Sequence, residues 1–410
     1  MKKAKAAFCF FTILVLTVSC NSFAQKNSTD QNNYSAIKDS LDNQSTNSIV
    51  DSNPLINSAS SSSDCTYDNS SSNYISSSIN VSSGVQSSES SSSIISSNES
   101  SSNNQQPSEY NPLEERISDG IIPTKSQLDA VTPYKRIVII GIDGAGGVFE
   151  NVDCPNFKRI FSEGNVNCHG ISQYPTISAQ NWCSMMYGVT AQTHNKTNDL
   201  IETTKHNNSS LPSVIKTCSE LYSDKTFYSI VGWKPINYGC FEDMDRLTKI
   251  NTIDLHPNYD WHKIDESTSE LVIQRMKDCD DLITFVHFES VDQMGHNYGG
   301  VSDQYFDAIK HVDTLIGSIY DAYARNNKLE STLFICVSDH GHTSQGGHGG
   351  ETDSEKETTL AVCDGGTNII KGNSGKYVTH DLASIIMYAL GQAQPRHYEG
   401  GVPKNLFKGL

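Results

Sequence analysis

The chain contains three short runs of apolar, mostly β-branched residues, and acidic residues follow each run directly. Runs of this length that are apolar at nearly every position are typical of strands buried on both faces of a parallel sheet. The carboxylates that follow are therefore expected at the strand ends. The runs and the acidic residues singled out after them are 136–142 with Asp143, 282–288 with Asp292, and 333–337 with Asp339.

Segments with a helical spacing of apolar residues lie between these runs. In 303–325, for example, Tyr305, Ile309, Val312 and Ile316 fall on one face of a helix. Strands that alternate with helices predict an α/β sandwich, with a central, mostly parallel sheet and helices on both faces. Such sheets bind ligands beyond the carboxyl ends of their strands, which is where the acidic residues are expected.

Further elements complete the predicted domain. They are helices over 155–162, 211–221 and 379–390, a strand over 358–362, and a helix that starts near Gln180 and ends at Tyr187. Thr379 is a candidate N-cap of the last helix, because its hydroxyl can accept a hydrogen bond from the first turn. The stretch 233–266 has no clear period, and we interpret it as a small cap over the site.

Composition separates a long polar segment from the rest of the chain. Residues 21–123 are dominated by Ser and Asn, so they cannot bury enough apolar surface to offset the entropy lost on folding. We interpret them as a disordered tether. Residues 124–410 are enough for one sizeable core, and we expect a single catalytic domain there.

Residues 1–20 have the features of an export signal. Lysines at positions 2, 3 and 5 precede an apolar run from Ala6 to Val18, which is too short to span a bilayer. The small residues before Cys20 resemble a bacterial lipoprotein signal, with Thr17 in place of the usual leucine. Cleavage before Cys20 would leave its thiol to carry lipid, so we expect an extracellular protein anchored to the cell membrane. The alternative is an ordinary cleaved signal and a secreted protein.

Charge and cysteine spacing exclude some classes of protein. A formal net charge of −17 argues against binding to duplex nucleic acid, which requires clustered Lys and Arg. Eight cysteines between 154 and 363 are scattered, without the short paired spacings of zinc ribbons or redox motifs. Export permits disulfides, but the spacing identifies none.

Six residues of the predicted domain are of the types that bind zinc or manganese. Two of them are four residues apart and would share one face of a helix, and two are neighbours at a strand end. The last lies among glycines, whose freedom at positive φ lets a loop approach another strand. The six are Asp143, Asp292, His296, Asp339, His340 and His348.

The order of these motifs resembles the alkaline phosphatase superfamily, and most of all its type I phosphodiesterase and nucleotide pyrophosphatase branch. The resemblance covers Lys135 to the C-terminus, and it implies an alkaline-phosphatase-like sandwich with two divalent ions, usually Zn²⁺ and in some branches Mn²⁺. The motifs are Asp143-Gly144, the segment 175–181, Asp292-x-x-x-His296, the segment 338–341 and the segment 347–349.

The resemblance also implies how the ligands divide between the ions. The first ion would take Asp292, His296 and His348, and His380 is an alternative to His348. The second would take Asp143, Asp339 and His340, together with the oxygen of the nucleophile.

The nucleophile is expected within 175–181. In the related pattern of the family, a Thr or Ser three residues before an Asn attacks phosphorus, which corresponds to Ser178 and Asn181 here. Ser178 would then form a phosphoserine intermediate, and Asn181 would donate a hydrogen bond to a nonbridging oxygen. Thr176 is the rival nucleophile, since it also lies at a loop-to-helix junction, and both hydroxyls could instead cap the helix.

The sequence therefore predicts extracellular, metal-dependent hydrolysis of small phosphoesters. Diesters or nucleotide pyrophosphates are favoured, because no arginine lies near the Ser178 loop of the kind that some monoesterases place on phosphate. The alternatives are a phosphomonoesterase and, from another class, an inactive surface protein that binds ligand or metal. A sulfatase motif is missing, and a phosphotransferase has no positive support in the sequence. The oligomeric state and the identity of the metal stay open.

Overall fold

A computed structural model describes residues 120–207, 210–365 and 368–410. The export signal, Cys20 and residues 21–119 of the predicted tether lie outside the described residues. Within the described part, no helix combines the length and the apolar character needed to cross a membrane.

A seven-stranded sheet forms the centre of the fold. In chain order its strands are β1 (Arg136–Ile142), β2 (Asn165–Ile171), β3 (Phe227–Val231), β4 (Leu247–Asn251), β5 (Ile283–Phe288), β6 (Thr332–Ser338) and β7 (Glu357–Cys363). Their spatial order is β2-β7-β6-β1-β5-β3-β4. The three apolar runs of the sequence are thus neighbours, since β1 pairs in parallel with β5 on one side and with β6 on the other.

The sheet is mostly parallel, as predicted. The antiparallel pairs are at one edge, where β7 pairs with β6 and β2 pairs with β7. The strand order proceeds from β1 in both directions, so the carboxyl ends of β5, β1 and β6 meet where the order reverses. Ligands of doubly wound sheets bind at this point.

Helices cover both faces of the sheet. In chain order they are α1 (Lys125–Asp129), α2 (Pro155–Phe161), α3 (Ser178–Tyr187), α4 (Ala191–His194), α5 (Asn198–Thr203), α6 (Val214–Leu221), α7 (Trp261–Asp278), α8 (Ser290–Tyr298), α9 (Asp303–Arg325), α10 (Asp353–Lys356) and α11 (Leu382–Ala389). One layer contains α2, α7, α8 and α9, and the other contains α3, α6 and α11.

Alternation along β1 explains why both layers are needed. Ile137 and Ile139 belong to the same apolar cluster as the buried residues of α3, α6 and α11. Val138 and Ile140 are equally buried and point to the opposite face, because successive strand residues alternate. The predicted apolar face of α9 is buried too, and Ser302 caps that helix by accepting a hydrogen bond from the Tyr305 amide.

Two predictions about local structure were wrong. Thr379 does not cap the last helix: α11 begins at Leu382, and Thr379 lies in a preceding 3₁₀ turn, where its hydroxyl donates to Asn181 Oδ1. The stretch 233–266 does not form a separate cap. It contributes β4, which pairs with β3, and the start of α7. β4 is a partly exposed edge strand of mixed polarity, so its sequence lacks the apolar signature of the central strands.

Candidate active site

The carboxyl ends of β1, β5 and β6 bring three acidic residues to one edge of the sheet. Asp143 follows β1, Asp339 follows β6, and Asp292 lies in the first turn of α8, which starts one residue beyond Glu289 at the end of β5. All three are buried. Gly144 permits this packing, because it has a φ of +66° and a Cβ atom there would lie 2.8 Å from Asp292 Oδ1.

Asp143, Asp339 and His340 form what we call the inner cluster. One side-chain N or O atom of each lies within 4.8 Å of the others. His340 Nε2 is 3.5 Å from Asp143 Oδ1 and 3.3 Å from Asp339 Oδ2. Ser178 Oγ lies 3.1 Å from His340 Nε2 and 3.4 Å from Asp143 Oδ1. The structure thus brings the predicted nucleophile into contact with the ligands predicted for the second ion.

Asp292, His296 and His348 form what we call the outer cluster, and they also meet within 4.8 Å. His296 Nε2 lies 3.4 Å from Asp292 Oδ2 and 3.1 Å from His348 Nε2. Asp292 and His296 share one face of α8, as their spacing predicted. The outer cluster is more open than the inner one, since the His296 side chain is 44% exposed whereas the His340 side chain is fully buried.

The two clusters are adjacent. The rings of His340 in the inner cluster and His348 in the outer cluster stack, with centroids 3.9 Å apart. The six predicted ligands and Ser178 therefore form one continuous site at the sheet edge. His380, the alternative to His348, instead contacts Gln173 and belongs to neither cluster.

Thr176 holds the loop that carries His348. Its hydroxyl donates to the Gly350 carbonyl and accepts from the Gly349 amide, and its own carbonyl lies 2.8 Å from His348 Nδ1. Gly349 has a φ of +106°, as the glycine-rich sequence predicted. These hydrogen bonds give Thr176 a structural role. The geometry therefore favours Ser178 over Thr176 as the nucleophile.

Ser178 is the first residue of α3, whose free amides and dipole favour anions. Asn181, expected to contact phosphate, is fully buried and used elsewhere: its Oδ1 accepts from the Gln173 amide and its Nδ2 donates to the carbonyls of Gln173 and Ile177. It therefore shapes the loop before α3 and does not point at a substrate. This placement corrects the expected role of Asn181.

Asn198 is a residue that the sequence left open between the substrate cleft and a plain surface turn. It is half-buried at the start of α5, and its Oδ1 accepts a hydrogen bond of 3.0 Å from the Ala179 amide, directly beside Ser178. This bond orients the side-chain amide at the N-terminus of α3. The sequence offered little signal, because an Asn after Thr197 is equally typical of a surface turn.

Further buried side chains hold the ligands in place. Asp143 Oδ2 accepts a hydrogen bond from Trp182 Nε1 at 2.8 Å and lies 2.9 Å from His287 Nε2, which leaves Oδ1 facing Ser178. His342 Nε2 lies 2.9 Å from Asp292 Oδ1. Such contacts fix the orientation of a ligating carboxylate. No spacing in the sequence marks Trp182, which lies one helical turn after Ser178, as a partner of Asp143.

The electrostatics keep Asp143 and Asp292 ionised. Burial alone raises the pKa of Asp143, but the hydrogen bond and charge of His287, the nearby His340 and the Trp182 N–H together lower that pKa well below its usual range. For Asp292, burial and Asp143 raise the pKa, and the hydrogen bond from His342 lowers it below the ordinary value. Both groups are thus in the state that binds a cation.

Burial and neighbouring groups also shift the pKa values of three other predicted ligands. Burial, and then the charge of Asp143, raises the pKa of Asp339 well above its usual range. Burial, with the neighbouring His348, lowers the pKa of His340 to about 3, and burial also lowers the pKa of His348. These two imidazoles are therefore neutral at pH 7, which is the protonation state that ligates metal.

The residues fit divalent cations. Asp339 Oδ2 is buried without a hydrogen-bond partner, although it lies against His340 in the inner cluster. Buried polar atoms without a partner are rare and costly, and an ion would satisfy this one. Each cluster offers carboxylate oxygen and imidazole nitrogen, a donor set suited to zinc or manganese.

Comparison with known proteins identifies a family. The family model of type I phosphodiesterase / nucleotide pyrophosphatase matches residues 137–351, a segment that makes up just over half of the chain. The segment contains both clusters and Ser178. Members of this family act on phosphoesters and use divalent metals.

Two curated relatives illustrate the range of activities. GPI ethanolamine phosphate transferase 2 of Aspergillus fumigatus is 27% identical over 140 residues, which cover 34% of this chain and 17% of that protein. Human ectonucleotide pyrophosphatase/phosphodiesterase family member 1 is 27% identical over 174 residues, which cover 41% of this chain and 19% of that protein. The chain thus matches less than a fifth of the length of either relative.

A solved structure supports the fold. The structure of a 2-O GAG sulfatase superposes with a TM-score of 0.50 at 12% sequence identity, covering 66% of this chain and 73% of the other. At this identity the likeness extends to the fold alone, and it confirms the predicted alkaline-phosphatase-like sandwich.

Proposed function

This chain belongs to the type I phosphodiesterase / nucleotide pyrophosphatase family, and we propose that it hydrolyses phosphodiesters or nucleotide pyrophosphates through a phosphoserine on Ser178. The observation that carries the proposal is the position of Ser178 Oγ. It lies at the N-terminus of α3 and within 3.4 Å of both His340 and Asp143 in the inner cluster.

In this proposal each cluster would hold one divalent cation. Bound cations would lower the pKa of the Ser178 hydroxyl and neutralise charge on the phosphate. Burial of the inner cluster excludes water from the nucleophile, whereas the exposed His296 leaves the outer cluster open to solvent and to a leaving group.

The covalent steps follow from the placement of Ser178. Its Oγ forms a bond to phosphorus while the bond between phosphorus and the leaving oxygen breaks, and the proton that the Ser178 hydroxyl gives up to solvent is balanced by the proton that the leaving alcohol takes up. The α3 N-terminus and the amide of Asn198 would stabilise the negative oxygens of the transferred group. Water then attacks phosphorus, the bond to Ser178 Oγ breaks, and the hydroxyl is restored.

Transfer to an alcohol is a second candidate function. It differs from hydrolysis only in the acceptor that attacks the phosphoserine. The similarity to GPI ethanolamine phosphate transferases supports transfer, for which the sequence alone offered no positive support. The proposed hydrolase and this transferase would share every residue described above.

The test compares substrates, metals and acceptors with the full-length protein. An aryl phosphodiester and the matching monoester are supplied with zinc, manganese or a chelator, with and without ethanolamine or glycerol as acceptor. We expect faster turnover of the diester than of the monoester and dependence of the rate on metal. The main product of the diester should be the free phosphomonoester. Faster turnover of the monoester would assign a phosphatase, and a product linked to the acceptor would assign a transferase.

Substitutions at Ser178 test the nucleophile. Ser178→Ala should lower kcat/KM at least about 10³-fold and abolish the covalent intermediate, whereas Ser178→Thr keeps a hydroxyl and should retain part of the activity. Trapping the phosphorylated protein by rapid acid quench and mapping the modified peptide is the direct measurement. A label on Thr176, or full activity of Ser178→Ala, contradicts the proposal. No turnover by any variant with any metal would favour the binding-protein alternative.

We also propose that lipid on Cys20 anchors the protein to the outer surface of the cell membrane, so that its substrates are extracellular. The basic start, the short apolar run and the small residues before Cys20 support this. In cells fed a labelled fatty acid, the wild type should carry the label and sediment with membranes. A Cys20→Ala variant that still carries the label would contradict the proposal.

A further inference from the structure

Helix α3, which presents Ser178, is in contact with a turn of π-helix formed by Ile236–Cys240. Cys183 in the second turn of α3 and Cys240 at the end of that turn have their Sγ atoms 2.7 Å apart. Neither residue is accessible to solvent. Non-bonded heavy atoms pack at about 3.5–4.0 Å, so these sulfur atoms are closer than packing requires.

We propose that Cys183 and Cys240 form a disulfide bond that joins the nucleophile-bearing helix to the 236–240 turn. Neither residue belongs to the predicted ligand set or to the inner or outer cluster. Of the eight cysteines in the described part of the chain, these are the two whose sulfur atoms are in contact.

The two segments are already held in register by other bonds. Tyr187, in the last turn of α3, donates its hydroxyl to the Cys240 carbonyl at 3.1 Å. Lys196 Nζ donates to the Gly239 carbonyl at 3.3 Å. Gly239 itself packs against the backbone of Ile201, where a Cβ atom would lie only 2.3 Å from Ile201 Cα. The Tyr187 hydrogen bond therefore already joins the two segments next to the sulfur atoms.

The bond forms by exchange with an external disulfide, such as that of a thiol oxidoreductase. The thiolate of one cysteine attacks the external disulfide and releases one thiolate. The second protein thiolate then attacks the mixed disulfide and releases the other. Two electrons pass from the protein to the external disulfide, and the two protons lost by the cysteines are available to the released thiolates. Oxidising compartments outside the cytoplasm supply such partners.

Burial of the two sulfur atoms determines when the disulfide exchange can take place. In the folded domain no external disulfide can reach either sulfur, and burial, with the adjacent Cys183, raises the pKa of the Cys240 thiol well above its usual range. A protonated thiol reacts poorly in disulfide exchange, because the thiolate is the nucleophile. The exchange therefore occurs while the chain folds, and the finished bond is protected from reductants until the domain unfolds.

The first experiment identifies the bond directly. Full-length protein folded with an oxidised thiol compound is denatured, alkylated without reductant, digested and measured by mass spectrometry. We expect one cross-linked pair of peptides containing Cys183 and Cys240, two hydrogens lighter than the separate peptides. Cys218 and Cys336 are also buried and should carry the alkyl group. Alkylation of Cys183 and Cys240 in this sample overturns the proposal.

The second experiment uses thermal unfolding of Cys183→Ala, Cys240→Ala, the double variant and a Cys218→Ala control. Each single variant should lower the melting temperature by roughly 10 °C, and the double variant by no more than about either one, since both remove the same cross-link. Prior unfolding with reductant should lower the wild type to the level of the variants and leave the variants unchanged. Additive losses that do not depend on reductant would show two packed thiols instead. Neither readout depends on phosphoester turnover.

Discussion

Two asparagines near Ser178 differ from what their sequence positions suggest: the one inside the motif is structural, and the one outside it lies beside Ser178. Asn181 lies within the motif, yet its side chain is used entirely by backbone groups and by Thr379. Asn198 lies outside the motif, yet it reaches the amide next to Ser178. A residue's function here depends on which of its polar atoms are left for a substrate after the fold has used the others.

Substitution of both asparagines separates these roles. Asn198→Ala should lower kcat/KM by about 10²-fold with little change in melting temperature, because it would remove the donor that we propose for the phosphate. Asn181→Ala should lower the free energy of unfolding by about 2–4 kcal/mol, because it leaves buried backbone donors and acceptors unpaired. Activity assays beside thermal unfolding make the measurement. An Asn198→Ala variant of normal activity would remove this residue from the site.

Much of the site could be predicted residue by residue, because strand-end carboxylates and closely spaced histidines carry a local signal. The six ligand candidates and Ser178 do converge in the structure. Their roles in metal binding and catalysis stay predictions. What escaped prediction are contacts between distant parts of the chain, such as Trp182 and His287 on Asp143, which no spacing encodes.

At the scale of elements, helix α8 depends on a carboxylate from another helix. Asp265 in α7 is fully buried, and its two oxygens accept hydrogen bonds from the amides of Glu289 and Ser290 at 2.9 and 3.0 Å. These amides begin α8, which carries Asp292 and His296 of the outer cluster. The position of the outer cluster is therefore set by the packing of α7 against α8.

Asp265→Ala should lower the free energy of unfolding by about 2–4 kcal/mol, because it leaves two buried amides without acceptors. It should also weaken zinc binding roughly 10-fold by loosening α8. The matched control is Asp260→Ala, which removes the exposed cap of α7 at the Lys263 amide. That change should cost only about 1 kcal/mol. Equal zinc affinity in both variants, by calorimetric titration, would contradict the role of Asp265.

The same scale shows where sequence reasoning about the fold succeeds and fails. The central strands and α9 were predictable, because complete burial or a single buried face leaves an unambiguous period. β4 was missed, since an edge strand in Leu247–Asn251 needs only its pairing with β3 and carries no such period. Thr379 could not be distinguished from a cap without knowledge that its hydroxyl bonds Asn181.

For the whole molecule, the site is a concentration of negative charge inside the domain. Burial, and then the charge of Asp143, raises the pKa of Asp339, and the same two causes oppose ionisation of Asp292, so the buried carboxylates destabilise one another. Cations at the two clusters would remove this repulsion. Metal binding and the stability of the fold should therefore be coupled.

Zinc at 100 times its dissociation constant should stabilise the protein by about 2.7 kcal/mol, which corresponds to a rise in melting temperature of roughly 5–10 °C. The rise should shrink at pH 5, because protons compete with the cation for imidazoles and carboxylates. His296→Ala in the outer cluster should reduce it. His262→Ala, which changes a histidine stacked on His311 away from the site, should not. Thermal melts in zinc and in chelator make the comparison, and no shift at pH 8 would contradict metal binding.

Trp182 gives the molecule an optical reporter of its own active site. Its indole is fully buried, donates to Asp143 and lies edge-on to His287 with ring centroids 5.0 Å apart. A change of charge at Asp143 acts on this ring through a medium of low dielectric constant, where electric fields are weakly screened. The two other tryptophans, Trp233 and Trp261, are more exposed and can be replaced by phenylalanine. The fluorescence of the remaining indole would then follow occupancy of the inner cluster in real time, without substrate and without an added dye.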